Sequence, residues 1–151
     1  MRPEDLLRIP ENVVTVVNAA FRRTTEEAKL RARELTTRGR PGLIARRGKL
    51  YNSIQLGAYR QWSPGGIGEQ RLYSSTIYSR VHEFGAVIVP KQAKWLTFRI
   101  WNPSDVDVPT GPWRRVRMVR IPPRPFLKPA VQDAIKSFDR HLNEALRDIW
   151  R

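Results

Sequence analysis

Helical periodicity at both ends of the chain, with strand periodicity between them, is what most restricts how this sequence can fold. At the C-terminal end Val131, Ala134, Ile135, Phe138, Leu142, Ala145, Leu146 and Ile149 recur at three- and four-residue steps, and Pro129 suits a first helical turn. A helix over 129–150 with one wide apolar face follows. Toward the other end, Val13, Val17, Ala20, Phe21, Ala28 and Leu35 mark a longer helix over 11–37, opening after Pro10. Its large apolar residues thin out beyond Phe21, so the second half is expected to be the more exposed. Gly39, Pro41 and Gly42 end it and open a basic loop over 38–49.

The stretch 50–121 reads as sheet. Ile54, Leu56 and Ala58 alternate with polar or small residues over 52–58, and 76–84 is strand-like by its β-branched and aromatic content. The clearest strand is 94–101, where Leu96, Phe98 and Ile100 share one face and Trp95, Thr97 and Arg99 the other. A Pro-rich loop over 102–112 comes next. In 114–121 the apolar phase switches between Val116 and Val119, which predicts a bulge or a strand partly covered on both faces. The expected fold is therefore α+β. A four-stranded, mainly antiparallel sheet is flanked by a long N-terminal and a C-terminal helix, in a single domain over 1–151.

Charge is the unusual quantity. The 151 residues carry 28 Lys and Arg against 14 Asp and Glu, a formal +14 that favours polyanionic partners. The excess is concentrated: 38–49 holds Arg38, Arg40, Arg46, Arg47 and Lys49, and 112–128 holds Arg114, Arg115, Arg117, Arg120, Arg124 and Lys128, with no acid in either. No apolar run reaches the roughly 20 residues of a membrane span, and Glu4 and Asp5 break up any signal peptide, so cytoplasmic synthesis is expected. The absence of Cys excludes disulfides and thiolate metal sites.

Three stretches, in order, resemble the phage virion-morphogenesis or tail-completion family, whose members join heads to tails. They are Gly48-Lys49-Leu50-Tyr51-Asn52-Ser53-Ile54; Tyr78-Ser79-Arg80-Val81-His82-Glu83-Phe84-Gly85, followed by Val89-Pro90-Lys91; and Ile121-Pro122-Pro123-Arg124-Pro125-Phe126-Leu127-Lys128-Pro129-Ala130. Ser79 stands where the family commonly has Ala, and the loop around 102–112 is an insertion. The resemblance implies a structural subunit of a tailed bacteriophage virion, at the head–tail junction or neck. It would be assembled in the host cytoplasm into a homo-oligomeric, hexameric ring around the genomic DNA passage, touching connector, stopper, terminator or tail-tube proteins. Tyr78, Glu83, Phe84, Gly85, Arg124, Pro125 and Phe126 are then structural motif residues: Phe84 fills core, Gly85 permits a sharp turn, and Arg124 is an ion-pair partner for a carboxylate such as Glu83.

His82 beside Glu83 invites catalysis, yet adjacent strand residues point to opposite faces. His141 is the only other histidine and falls on the polar side of the last helix, and no residues have metal-ligand or nucleophile spacing. No enzyme activity, metal or cofactor is expected. Arg38, Arg40, Arg46, Arg47, Lys49, Arg114, Arg115 and Arg117 are candidate contacts to DNA in a lumen or to neighbouring subunits, without sequence reading. A tail terminator of the same virion is one alternative. A small basic nucleic-acid-binding protein is another, and would need aromatic residues stacked beside its basic stripe; an RNA-cleaving toxin would need Arg, His and an acid converging in a cleft.

Overall fold

The computed structural model describes residues 3–37, 43, 48–62, 66–102 and 108–149, with side chains over 12–37 in the first helix and to 148 in the last. The class is α+β, with a long N-terminal helix, two C-terminal helices and short antiparallel strands. The chain divides into two compact units, Met1–Thr76 with Phe126–Arg151, and Ile77–Pro125.

In the first unit, helix α1 spans Pro3–Leu35, starting earlier than the proline-based boundary at residue 11. Pro10 lies inside it at the cost of one backbone donor. The helix stops at Leu35 rather than residue 37, where the N–H groups of Thr36 and Thr37 turn back to the carbonyls of Arg33 and Glu34. Its buried ridge is Val16, Ala20, Thr24, Ala28 and Ala32, a four-residue step that Thr36 continues just beyond the helix, with Asn18 buried beside it. Val13 is exposed, and the second half of α1, expected to face solvent, is as buried as the first. The reason is residue size: a ridge of Ala and Thr lets neighbouring helices approach closely, yet adds little to any count of large apolar side chains.

Two helices pack on that ridge, α4 over Leu127–Ile135 and α5 over Phe138–Ile149. The single helix expected over 129–150 is thus broken at Lys136 and Ser137, where the Ser137 N–H bonds to the Ala134 carbonyl. Ala130, Ala134, His141 and Ala145 are buried, while Val131, Ile135 and Leu146 are exposed. Pro129 does fall in the first turn of α4. Residue 150, the end of the expected helix, lies outside the described residues.

Two clusters form the core. One gathers Val16 and Ala20 of α1 with Ala145, flanked by Phe138 and Leu142. The other gathers Ala32, Leu43, Ile54, Phe126 and Ala130, flanked by Leu35, Leu50, Leu72 and Leu127. The Gly48-to-Ile54 block supplies much of the second. It forms a short helix, α2 over Lys49–Ser53, then strand β1 over Ile54–Leu56, so the strand begins two residues later than expected. Ser53 Oγ bonds the Leu50 carbonyl (2.7 Å) and Ser74 Oγ (2.7 Å), which joins the block to its partner strand. Strands β2 (Arg60–Gln61), β3 (Gly68–Glu69) and β4 (Leu72–Ser74) complete this unit, pairing antiparallel as β1 with β4 and β2 with β3. The strands of the whole chain form four two-stranded ladders among the described residues, where one four-stranded sheet was expected. No described helix is long and apolar enough to cross a membrane.

A polar network ties α5 to α1. His141, expected on the polar side of its helix, is buried, and its Nε2 lies 2.8 Å from Glu27 Oε2. Ser137 Oγ (3.2 Å), Arg140 (3.0 Å) and Arg31 (3.4 Å) also donate to Glu27, and Arg23 pairs with Asp148 at 2.6 Å. Burial opposes ionisation of Glu27, but the hydrogen bonds from His141 and Ser137 and the charge of Arg140 outweigh it, and its carboxyl is held below the ordinary value. A depressed carboxyl contributes stability that is complete above its unfolded value near 4.5 and is lost as pH falls through the folded value. Helix unfolding followed by circular dichroism should therefore become easier below about pH 4.5, and Glu27→Gln should flatten that acid limb. Glu27→Ala, which leaves four donors without their acceptor, should cost about 1–3 kcal/mol at pH 7.

Candidate functional site

The second unit, Ile77–Pro125, is built differently from the first. It opens with helix α3 over Ser79–Phe84, where β-branched and aromatic content had predicted a strand. Here local bonding wins: the His82 N–H bonds to the Tyr78 carbonyl, and the two rings meet edge to face at 5.9 Å. Strands β5 (Ala86–Ile88), β6 (Leu96–Arg99), β7 (Trp113–Val116) and β8 (Val119–Ile121) follow. Strand β5 pairs with β8 and β6 with β7, both antiparallel, so the chain runs out along one side and back along the other. The break between β7 and β8 falls at Arg117 and Met118, where the apolar phase switch predicted a bulge. Seven residues, 89–95, separate β5 from β6 against two, 117–118, on the return side.

Cross-strand partners share a face in such a ribbon. The register Leu96 to Val116 and Phe98 to Arg114 makes one face largely apolar. The register Thr97 to Arg115 and Arg99 to Trp113 makes the other cationic and aromatic. On that second face the guanidinium groups of Arg115 and Arg117 lie 5.4 and 5.1 Å from the centre of the Trp95 ring, and that of Arg99 lies 5.6 Å from the Trp113 ring. Arg99 is also tied to the loop, donating to the carbonyls of Gly111 (3.2 Å) and Thr110 (3.3 Å). Arg114, Arg115 and Arg117 are exposed and have no carboxylate partner among the described residues.

This unit has no buried apolar side chain among its described residues; Glu83 and Gly111 alone are buried. Phe84, expected to fill core, is 74% exposed, at the last position of helix α3 rather than in a strand. Ile77, Val87, Ile88, Val89, Phe98 and Trp113 are exposed as well. The second and third motif blocks meet here. The Arg124 N–H donates to the His82 carbonyl at 2.6 Å, and Gly85 sits against Ile121 and Pro123. Burial, aided by the charge of Arg124, holds the His82 imidazole below its ordinary value, so it is neutral at pH 7. Glu83 lies beside it on a helix, not on a strand, and Pro125 is exposed at the end of the segment.

The remaining candidates separate. Phe126 is fully buried in the first unit's core, and Lys49 is exposed at the start of α2. Arg38, Arg40, Arg46 and Arg47 lie outside the described residues. Sequence reasoning placed Trp95 and Arg99 together on one face but did not pair them with the arginines of 113–117; the matching alternation of the two segments was the available signal. A depression of ≈ 100 Å³ lined by Gly57, Ala58, Arg60, Glu69 and Arg71 falls short of the roughly 300–1,000 Å³ usual for small-molecule sites. No group of His, Asp or Glu among the described residues could hold a metal ion. No protein family, curated protein or solved structure matches the chain.

Proposed function

We propose that this chain is a structural subunit of a tailed bacteriophage virion, a head–tail joining or tail-completion protein that assembles into a ring around the DNA passage. The observation that carries the reading is the second unit. Two-stranded ribbons are marginal in water unless they pack on something. This one presents an apolar face and a row of exposed large apolar residues while burying none of them. Such a surface is completed by a partner, and in a homo-oligomeric ring the partner is the next copy. The ordered motif blocks support the same reading, since each has a definite place in the fold: one builds the core around Ile54, one forms α3 and its exit, and one leads into Phe126. The work of such a subunit is contact and closure, with no chemical step.

Light scattering on the purified protein, alone and with neighbouring neck and tail proteins, tests this directly. The assembled species should have about six times the 17.6 kDa mass of one chain. Phe98→Asp places a charge on the ribbon's apolar face, where Phe98 is already partly exposed, and should shift the mass to that of the monomer while leaving the helical circular dichroism intact. A wild-type chain that stays monomeric with every neck and tail component would overturn the proposal.

A further inference from the structure

We infer that the cationic–aromatic face of the ribbon binds the phosphate backbone of duplex DNA, with Trp95 as the platform that holds Arg115 and Arg117 as a phosphate clamp. Two guanidinium groups converge on one indole, at 5.4 and 5.1 Å from its centre. Like charges brought together repel, and here no carboxylate among the described residues relieves them. The indole ring attracts both cations and offsets part of that repulsion. Both side chains are exposed, so their N–H groups remain accessible for the two-pronged bond that phosphate oxygens accept. An anion seated between the two guanidinium groups removes the remaining repulsion.

The surroundings favour a long polyanion over a single phosphate. Segment 77–125 contains nine Lys and Arg against three acids, Glu83, Asp105 and Asp107. On the same face as the clamp, Trp113 is 66% exposed beside Arg99, which continues the cationic row along the ribbon. Among the described residues of this face, Trp95, Thr97, Arg99, Trp113, Arg115 and Arg117, none offers the Asn or Gln fork that reads a base edge, so the contact is to backbone and independent of sequence. This deepens the proposed function and rests on it only for the source of the DNA. The competing occupant is an acidic surface of a second copy, and the experiment separates the two.

The test is fluorescence anisotropy of a labelled random-sequence duplex across a salt series, with the particle mass measured on the same samples. Wild-type protein should bind, with affinity falling steeply as salt rises. Arg115→Ala with Arg117→Ala should lower affinity by about tenfold or more and reduce the salt slope by about two, one for each lost phosphate contact, at unchanged mass. Trp95→Leu keeps both charges but removes the platform, so it should weaken binding with little change in slope, and Trp95→Phe should recover part of the loss. Unchanged affinity and slope in the double variant would overturn the inference. A fall in mass with DNA binding unchanged would also overturn it, assigning the two arginines to a subunit contact while leaving the ring reading intact. Loss of assembly in Phe98→Asp with DNA binding retained would have the opposite meaning, separating the clamp from the ring.

Discussion

Phe126→Ala should lower the urea midpoint of the helical unit more than any other single truncation in the chain. Among the described residues, Phe126 and Ile54 are the largest fully buried side chains, and most of the other buried apolar residues are alanines. The core thus concentrates its apolar area in few places. Removing a buried phenyl ring costs about 3–5 kcal/mol, the lost transfer energy plus the cavity. Against a usual total of about 5–15 kcal/mol, that is a large share. The control is Phe84→Ala. Phe84 also stands in a motif block, but it is 74% exposed, and its truncation should change stability by no more than about 0.5 kcal/mol. Urea titrations followed by far-ultraviolet circular dichroism read both. Equal midpoints for the two variants would contradict the assignment of one phenylalanine to core and the other to surface.

That contrast shows what could be read from the sequence. Both residues are phenylalanines in recognisable blocks, and nothing local says that one is buried. What was legible was strict alternation: Leu96 and Phe98 on one face, Trp95 and Arg99 on the other, with a phase break after Val116. Period two is preserved in a ribbon because neighbouring strands fix it. The interface of α1 was partly legible: Ala20 and Ala28 of the expected stripe are buried, but Thr24 and Ala32 were missed, since the ridge depends on close approach and not on large apolar side chains. Helix α3 was misread because Thr76, Ile77, Tyr78 and Val81 have strand propensity, while the segment satisfies its backbone locally and ends at Gly85. The break at Ser137 was hidden for a similar reason: apolar spacing is helical on both sides and continues across it, and neither Lys136 nor Ser137 is the Gly or Pro that would mark a break. The candidate site was half legible. The arginines of 113–117 stood out by charge, but their convergence on Trp95 required the pairing of β6 with β7.

Gly85→Ala should unfold the base of the ribbon while leaving the helical unit intact. Gly85 sits at φ 74° and ψ 172°, a region that side chains other than glycine's essentially never occupy. That strain alone costs about 1–3 kcal/mol. A Cβ there would also lie 2.9 Å from the Ile121 carbonyl oxygen and 3.0 Å from the Pro123 nitrogen, both backbone atoms held by the β5–β8 ladder and the proline run. Neither can yield without breaking the ladder, which is three residue pairs long and has no buried apolar side chain behind it. Gly48 is the internal comparison. It too has positive φ, 63°, but with ψ 3° it lies near the left-handed helical region, and a Cβ would meet nothing closer than Asn52 Nδ2 at 3.5 Å. Gly48→Ala should therefore cost only about 1–2 kcal/mol, spread over the core block it opens. Hydrogen exchange distinguishes the two sites. In Gly85→Ala, amides of 86–88 and 119–121 should exchange at the rate of open chain while those of α1 and α5 keep their protection. In Gly48→Ala, the ribbon amides should be unaffected. If the ribbon keeps its protection in Gly85→Ala, the turn is not what holds α3 to β5. If it loses protection and the particle mass falls to that of the monomer, the same turn is what presents the ribbon for assembly.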